Sequence, residues 1–168
     1  MSKVIYLAGG CFWGLEKAFQ SLKGVEDTTV GYANGIVENP TYEMVKKNDT
    51  EFRETVRIVY NEDVLPLPKI LKAFFLCIDP TQKNQQKHDI GTQYQTGVYY
   101  IAEEDYPIIC QAFEEEKKKY PVFYVEMKPL ENFYDAEEYH QDYLIKNPSG
   151  YCHITREEYE AVKKLNEE

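Results

Sequence analysis

The 168-residue sequence is poor in the residues that would make it a disulfide scaffold, a metalloprotein or a nucleic-acid binder. Its four cysteines, Cys11, Cys77, Cys110 and Cys152, are scattered and contain no CxxC pair, which excludes a disulfide framework and a thioredoxin-type motif. None of its three histidines, His88, His140 and His153, has metal-ligand spacing with a cysteine, and the adjacent Cys152-His153 suits chelation poorly, so no metal site is expected. Lys and Arg number 19 against 29 Asp and Glu, a formal net charge of -10. That balance argues against nucleic acid or an anionic membrane as partner, because both need basic patches. No apolar run approaches the roughly 20 residues that span a bilayer. The opening Met1-Ser2-Lys3-Val4 lacks the apolar stretch and small-residue site of a secretory signal. The expectation is a soluble, cytoplasmic, monomeric protein, in a reducing compartment where a useful cysteine is catalytic more often than structural. With no internal repeat and no low-complexity linker, residues 1–168 read as a single domain, of which 155–168 form a charged C-terminal helix.

Tyrosine is the residue in excess, at 15, beside eight Phe and one Trp. Such a composition suits a pocket that is apolar and hydrogen-bonding at once. Along the chain, Val4–Ala8 reads as a buried strand that stops at Gly9-Gly10. A helix follows from Cys11 to Leu22, with Phe12, Leu15, Ala18, Phe19 and Leu22 on one face. Strands are expected at 26–33 and 52–60, with one or two helical turns at 41–47. A helix is expected over Lys69–Cys77, then a long functional loop over 80–93. A strand over Tyr94–Ile101, a helix over Asp105–Lys119, a strand over Val122–Lys128 and a helix over 134–146 complete the main body. Thr155 and Glu158 form a capping box for the last helix. The fold class is α+β, and the first six elements, β-α-β-β-α-β, match a ferredoxin-like (split βαβ) core with additional helices, strands and long loops.

Three residues stand out on local grounds. Cys11 lies where a strand ends, two glycines turn and a helix begins. Free N–H groups and the partial positive charge of a helix N-terminus favour a thiolate. A cysteine simply packed at a strand end is the alternative, and the Gly-Gly pair favours reactivity. Trp13 projects nearly opposite the apolar stripe of its helix, so it either walls a site beside Cys11 or is covered by another element. Glu54 shares the face of Phe52, Val56, Ile58 and Tyr60, whereas Arg53, Thr55 and Arg57 take the other. Buried without a cation, its carboxyl would hold its proton to unusually high pH; on pattern alone, a strand-end residue reaching water is the simpler reading. Six residues beyond Cys11 stands Lys17 rather than Arg, so the phosphate loop of cysteine phosphatases is absent.

Gly10-Cys11-Phe12-Trp13-Gly14 resembles the signature of the A-type methionine sulfoxide reductases. Val30-Gly31-Tyr32-Ala33, Asn39-Pro40-Thr41-Tyr42, Asp79-Pro80-Thr81-Gln82 and Asp89-Ile90-Gly91-Thr92-Gln93-Tyr94 are similar to further blocks of that family, in its order. So is the stretch from Tyr139-His140-Gln141 through Asn147-Pro148 to Gly150-Tyr151-Cys152. The resemblance spans residues 4–154. It implies that Cys11 attacks the sulfoxide sulfur, that Phe12 and Trp13 hold the substrate methyl group, and that Glu54 protonates the sulfoxide oxygen. It further implies that Tyr42 and Tyr94 hydrogen-bond near that oxygen and that Asp89 belongs to the same pocket. Cys152 matches the resolving cysteine, which condenses with a Cys11 sulfenic acid to a disulfide that thioredoxin or a similar dithiol reduces. The resemblance implies the S epimer of methionine sulfoxide, free or in oxidised proteins, as substrate, and no metal or organic cofactor. The sequence departs from the family in its tail, which runs Cys152-His153-Ile154 into a charged helix with no further cysteine, so the relay has one step. Phe52 and Arg53 replace small or polar residues, and Lys87 replaces a common Gly. Cys77 and Cys110 are expected in the core, with Cys110 the better incidental oxidation partner. A thiol peroxidase and an aromatic-lined peptide-binding or redox-sensing domain are the rival readings; the placement of Glu54 and Cys152 argues against both.

Overall fold

The computed structural model describes residues 2–47 and 49–168. Strand β1 (Ser2–Ala8) runs into the Gly9-Gly10-Cys11 turn and α1 (Phe12–Gln20), for which Cys11 is the N-cap. Then come β2 (Val25–Ala33), the one-turn α2 (Tyr42–Val45) capped by the Thr41 hydroxyl, β3 (Arg53–Asn61) and α3 (Leu67–Cys77). A small hairpin, β4 (Gln85–Gln86) with β5 (Asp89–Ile90), precedes β6 (Gly97–Tyr100). The chain ends with α4 (Asp105–Lys117), β7 (Glu126–Pro129), β8 (Phe133–Asp135), α5 (Tyr143–Lys146) and α6 (Arg156–Lys164).

The result is a mixed α/β fold around one six-stranded sheet of order β7-β6-β1-β3-β2-β8. Neighbours are antiparallel, except that β6 and β7 run parallel. Alternation along β1 assigns its faces: Ile5 and Leu7 enter the main core under α1 and α3, while Tyr6 and Ala8 join Ala33 and Tyr99 on the opposite face. The central strands are thus buried on both sides. Helices α1, α3 and α6 pack on one another over the main core, which holds Phe19, Phe74 and Val162 free of solvent. No helix among the described residues is long and apolar enough to cross a membrane.

Three expected elements differ. The strand expected over Tyr94–Ile101 is confined to Gly97–Tyr100, and Thr92–Tyr94 forms a 3-10 turn instead. The Gln95 side chain bonds the Asn84 N–H and the Tyr124 carbonyl, pinning the chain in a loop conformation before pairing starts. The strand expected from Val122 begins at Glu126, because Tyr124 N–H is committed to the Pro80 carbonyl. The helix expected over 134–146 is a strand, a 3-10 turn (Glu138–His140) and the short α5. Here tertiary partners capture the backbone: the Val30 carbonyl accepts the Ala136 N–H, and Glu16 accepts the Asp142 N–H, while the Gln141 side chain bonds both the N–H and the carbonyl of Val30. Asp142 itself, at φ 54°, interrupts the helix. The loop over 80–93 contains the β4–β5 hairpin, α3 starts two residues earlier than expected, and the capping box at Thr155 and Glu158 is present.

Where β8 crosses β2, a Cβ on Gly31 would stand 2.4 Å from the Phe133 ring and from the Tyr134 carbonyl oxygen. Gly31→Ala must therefore push β8 off the sheet edge. The expected cost is about 1–3 kcal/mol, a fall in Tm of roughly 3–10 °C in a chain of this size, measured by calorimetry. An unchanged Tm would mean that β8 is not seated on β2 as described.

Candidate active site

The turn between β1 and α1 builds one wall of a cavity. Gly10 has φ 83°, and a Cβ there would sit 2.7 Å from the buried side chain of Gln86, so both the backbone conformation and the space demand glycine. The turn delivers Cys11 to the start of α1, where it is 7% exposed. The next peptide, Phe12 N–H, donates to Glu54 Oε1 at 3.2 Å. One bond thus ties the first turn of the helix to the start of the central strand β3. A cavity of about 270 Å³ opens beside this junction, lined by Cys11, Phe12, Trp13, Tyr42, Glu54, Asp89, Tyr94 and Tyr151.

The structure therefore gathers seven of the eight sequence-selected residues around one cavity. The eighth, Cys152, lies elsewhere: its Sγ rests against the backbone of Gly14, and a Cβ on that glycine would come within 2.7 Å of it. All four cysteines are free thiols. Cys77 is buried in α3, where burial pushes its thiol up to about 12. Cys110 is only half-buried, with its Sγ 3.9 Å from the Met127 sulfur, so it is less a core residue than expected.

Electrostatics in the cavity follow from burial. Glu54 is 1% exposed, and its carboxyl is pushed up to about 8 by loss of water; the Phe12 N–H opposes the shift and the Asp89 charge adds to it. Its second oxygen, Oε2, meets no hydrogen-bond partner among the described residues. Glu54 is therefore a neutral acid near pH 7. Tyr42 is pushed up to about 12 and Tyr94 is raised too, both first by burial, so both remain O–H donors. The helix terminus was expected to lower the Cys11 thiol, and the structure corrects this. Burial, then the Glu54 carboxylate, raise it well above the usual thiol value, and the Trp13 N–H opposes them without winning. A single turn's worth of helix dipole does not offset removal of a thiolate from water. At rest, Cys11 holds its proton.

Other residues, unflagged by the sequence pattern, hold these in place. Trp13 Nε1–H donates to His140 Nδ1 at 3.0 Å, and the indole stacks on Tyr143 at 3.7 Å with the planes 7° apart. This settles the two readings of Trp13: one face is covered by α5, and its edge lines the cavity. His140 is 1% exposed, and burial lowers its imidazole below the usual value, so the neutral ring with Nδ1 as acceptor is the form present. Glu137 accepts from the Tyr42 N–H at 3.0 Å and from the Tyr32 hydroxyl at 2.9 Å, which fixes where α2 presents Tyr42. Tyr151 donates to Asp89 Oδ2 at 3.1 Å and closes the rim. It sits in the Gly150-Tyr151-Cys152 block, and its immediate neighbourhood to Cys152 was the one signal that might have drawn attention to it. Among the described residues, no three His, Cys, Asp or Glu side chains are grouped as a metal would need.

Taken together, the cavity offers a sulfur nucleophile, a neutral carboxylic acid and two phenols facing an apolar wall of Phe12 and Trp13. That set fits a neutral group with one basic oxygen and a small apolar substituent. Because Trp13 is the only tryptophan, its emission reports on this wall. Tyr143→Ala is expected to shift the emission to the red and lower its anisotropy; an unaltered spectrum would show that Tyr143 does not hold the indole.

A family model described as peptide methionine sulfoxide reductase matches residues 3–168. The peptide methionine sulfoxide reductase MsrA of Lachnoclostridium phytofermentans is 54% identical over 165 residues, covering 97% of this chain and 99% of the relative. That of Clostridium acetobutylicum is 53% identical over 158 residues, covering 94% and 97%. Among solved structures, Mxr1 from Saccharomyces cerevisiae in reduced form superposes with a TM-score of 0.87 at 38% identity, over 92% of this chain and 91% of that one. The yeast protein in complex with Trx2 gives a TM-score of 0.61 at 29% identity, over 84% of each chain.

Proposed function

The chain belongs to the peptide methionine sulfoxide reductase family, and from that premise we propose how its own residues reduce methionine sulfoxide to methionine. The observation that carries the reading is the unpartnered, buried oxygen of Glu54 in the cavity that Cys11 lines. The substrate methyl group lies between Phe12 and Trp13. The sulfoxide oxygen accepts hydrogen bonds from Tyr42, Tyr94 and the protonated Glu54. Asp89, held by Tyr151, completes the polar rim.

Glu54 gives its proton to the oxygen, which turns a poor leaving group into a good one. Cys11 Sγ attacks the substrate sulfur, and its thiol proton passes to the Glu54 carboxylate. The Trp13 N–H steadies the sulfur as charge develops. Oxygen and its proton move to Cys11 as a sulfenic acid, and methionine leaves with the electron pair. Every atom and proton is accounted for by these side chains. Cys152 then displaces water from the sulfenic acid to give a Cys11–Cys152 disulfide. Mxr1 has been crystallised with Trx2; by analogy, a thioredoxin-type dithiol reduces the disulfide here. We further read the strands in order β6-β1-β3-β2, all antiparallel, as the split βαβ core. The enzyme is assigned as a cytoplasmic monomer with the S epimer as substrate.

The test is a single turnover without reductant, using one equivalent of a dabsyl-labelled methionine S-sulfoxide. About one methionine and two lost thiols per chain are expected, and neither with Cys11→Ser. Methionine with one thiol lost would remove Cys152 from the relay, and no methionine would remove the whole assignment.

Glu54 gives a second test. A carboxyl that titrates near 8 when folded but near its ordinary value when unfolded favours the unfolded chain as pH rises between the two. Relative to Glu54→Gln, the parent should therefore lose stability from about pH 4.5 to 8, by on the order of several kcal/mol at most, in urea titrations. The same variant should turn over about 10²-fold more slowly, because the amide cannot transfer a proton. A pH-independent stability difference would show that Glu54 is not a buried acid.

A further inference from the structure

Cys152 is held away from the cavity by contacts that the reaction just described does not use. Its Sγ has two polar neighbours, the Ile154 carbonyl at 3.5 Å and the Tyr159 hydroxyl at 2.8 Å. That hydroxyl also donates to the Gly14 carbonyl at 3.2 Å. Gly14 lies in the first turn of α1, the turn that begins at Cys11. The phenol thus bridges the waiting thiol to the helix that carries the nucleophile.

The local sequence explains how Tyr159 reaches this place. The Thr155–Glu158 capping box fixes the start of α6 directly after Cys152-His153-Ile154. Tyr159 is the fourth helical residue, so it faces back along the segment that carries Cys152. Lys17 Nζ stands 4.8 Å from its ring centroid and braces it from α1. The segment is pinned independently by Lys87, whose Nζ donates to the His153 carbonyl at 2.7 Å and pairs with Glu158. Packing alone asks only for a phenylalanine at position 159; the hydroxyl is spent on sulfur and on a helix carbonyl.

We infer that Tyr159 is a positioning residue for the second half of the reaction: its hydroxyl seats Cys152 Sγ on the Gly14 backbone, one helical turn from Cys11. This rests on Cys152 being the thiol that condenses with the Cys11 sulfenic acid. In that step the Cys152–Cys11 sulfur bond forms and the Cys11 S–O bond breaks. Cys152 sulfur is oxidised, Cys11 sulfur is reduced, and hydroxide leaves with the thiol proton as water. Seating limits the thiol's search, which lowers the entropic part of that barrier. It plays no part in oxygen transfer, because Tyr159 does not line the cavity.

The experiment is rapid-quench single turnover of the full chain with methionine S-sulfoxide. Methionine is measured by chromatography, the sulfenic acid by dimedone trapping, and the disulfide by mass spectrometry. For Tyr159→Phe, which keeps the ring, methionine should form at the parent rate. The disulfide should form about tenfold more slowly, with trapped sulfenic acid rising to match. Gly14→Ala, which pushes Cys152 off its seat from the other side, should repeat that pattern. Disulfide formation at the parent rate or faster in Tyr159→Phe would overturn the inference, as would equal slowing of both steps. Cys152→Ser separates the two claims: if it still loses a second thiol, the assignment of Cys152 fails, whatever Tyr159 does.

Discussion

The Phe12 N–H to Glu54 Oε1 hydrogen bond is the contact on which the rest of the site depends. It uses an N–H that the first turn of any helix leaves unpaired, and it uses one lone pair of a carboxyl that strand alternation has turned inward. Through it, Cys11 and Glu54 share a wall: the antiparallel register of β1 and β3 brings the end of one strand and the start of the other to the same edge of the pair, and the bond joins them there. It also leaves the other carboxyl oxygen facing the cavity without a partner. A carboxyl satisfied on both oxygens would be a structural group; one satisfied on a single oxygen is held in position and still has a proton to give.

Such a site is bought with stability. The Glu54 carboxyl, which would ionise in water, is kept neutral by burial, and burial holds the Cys11 thiol further still from ionising. Their neutrality is also mutual, since each would repel the charged form of the other. Supporting contacts therefore have to come from elsewhere, and they come from the 137–143 segment. Glu137 fixes Tyr42, His140 fixes the Trp13 edge and Tyr143 covers its face. Glu16 and Gln141 in turn fix that segment on α1 and β2. Glu16 is pushed up to about 7 by burial, so the anchor of the aromatic wall is itself poised near neutrality.

How much of this the sequence revealed follows from the range of the forces involved. The β1–Gly-Gly–α1 turn, the inward face of β3 and the capping box at Thr155 are local patterns, and each was readable from a few neighbouring residues. The 134–146 stretch was not, because its helical periodicity is real but two of its backbone donors, the Ala136 and Asp142 N–H groups, are claimed by Val30 and Glu16, more than 100 positions away in the chain. The raised thiol of Cys11 was hidden for the same reason: the helix terminus is visible in the sequence, the burial that outweighs it is not. Glu54 lay between these cases. Alternation put it on the apolar face, yet at a strand end the simpler reading was a side chain reaching water; the packed structure corrects this, with Glu54 1% exposed and no cation meeting it among the described residues.

The separation of Cys152 from the cavity has a consequence for the order of events. A resolving thiol inside the cavity would occupy the space the substrate needs and would add another ionisable group to a wall that already disfavours charge. Held behind the first turn of α1, it leaves the cavity to substrate, phenols and acid. Once methionine has left, the cavity side of Cys11 is vacated, and the sulfenic sulfur is the electrophile that the waiting thiol attacks. The 150–152 segment, half-buried to exposed and tied by side-chain contacts rather than by a strand or helix, is the part of the site that can move toward Cys11 at least cost to the core. Oxygen transfer thus relies on rigid elements, and disulfide formation on the one segment of the site left outside them.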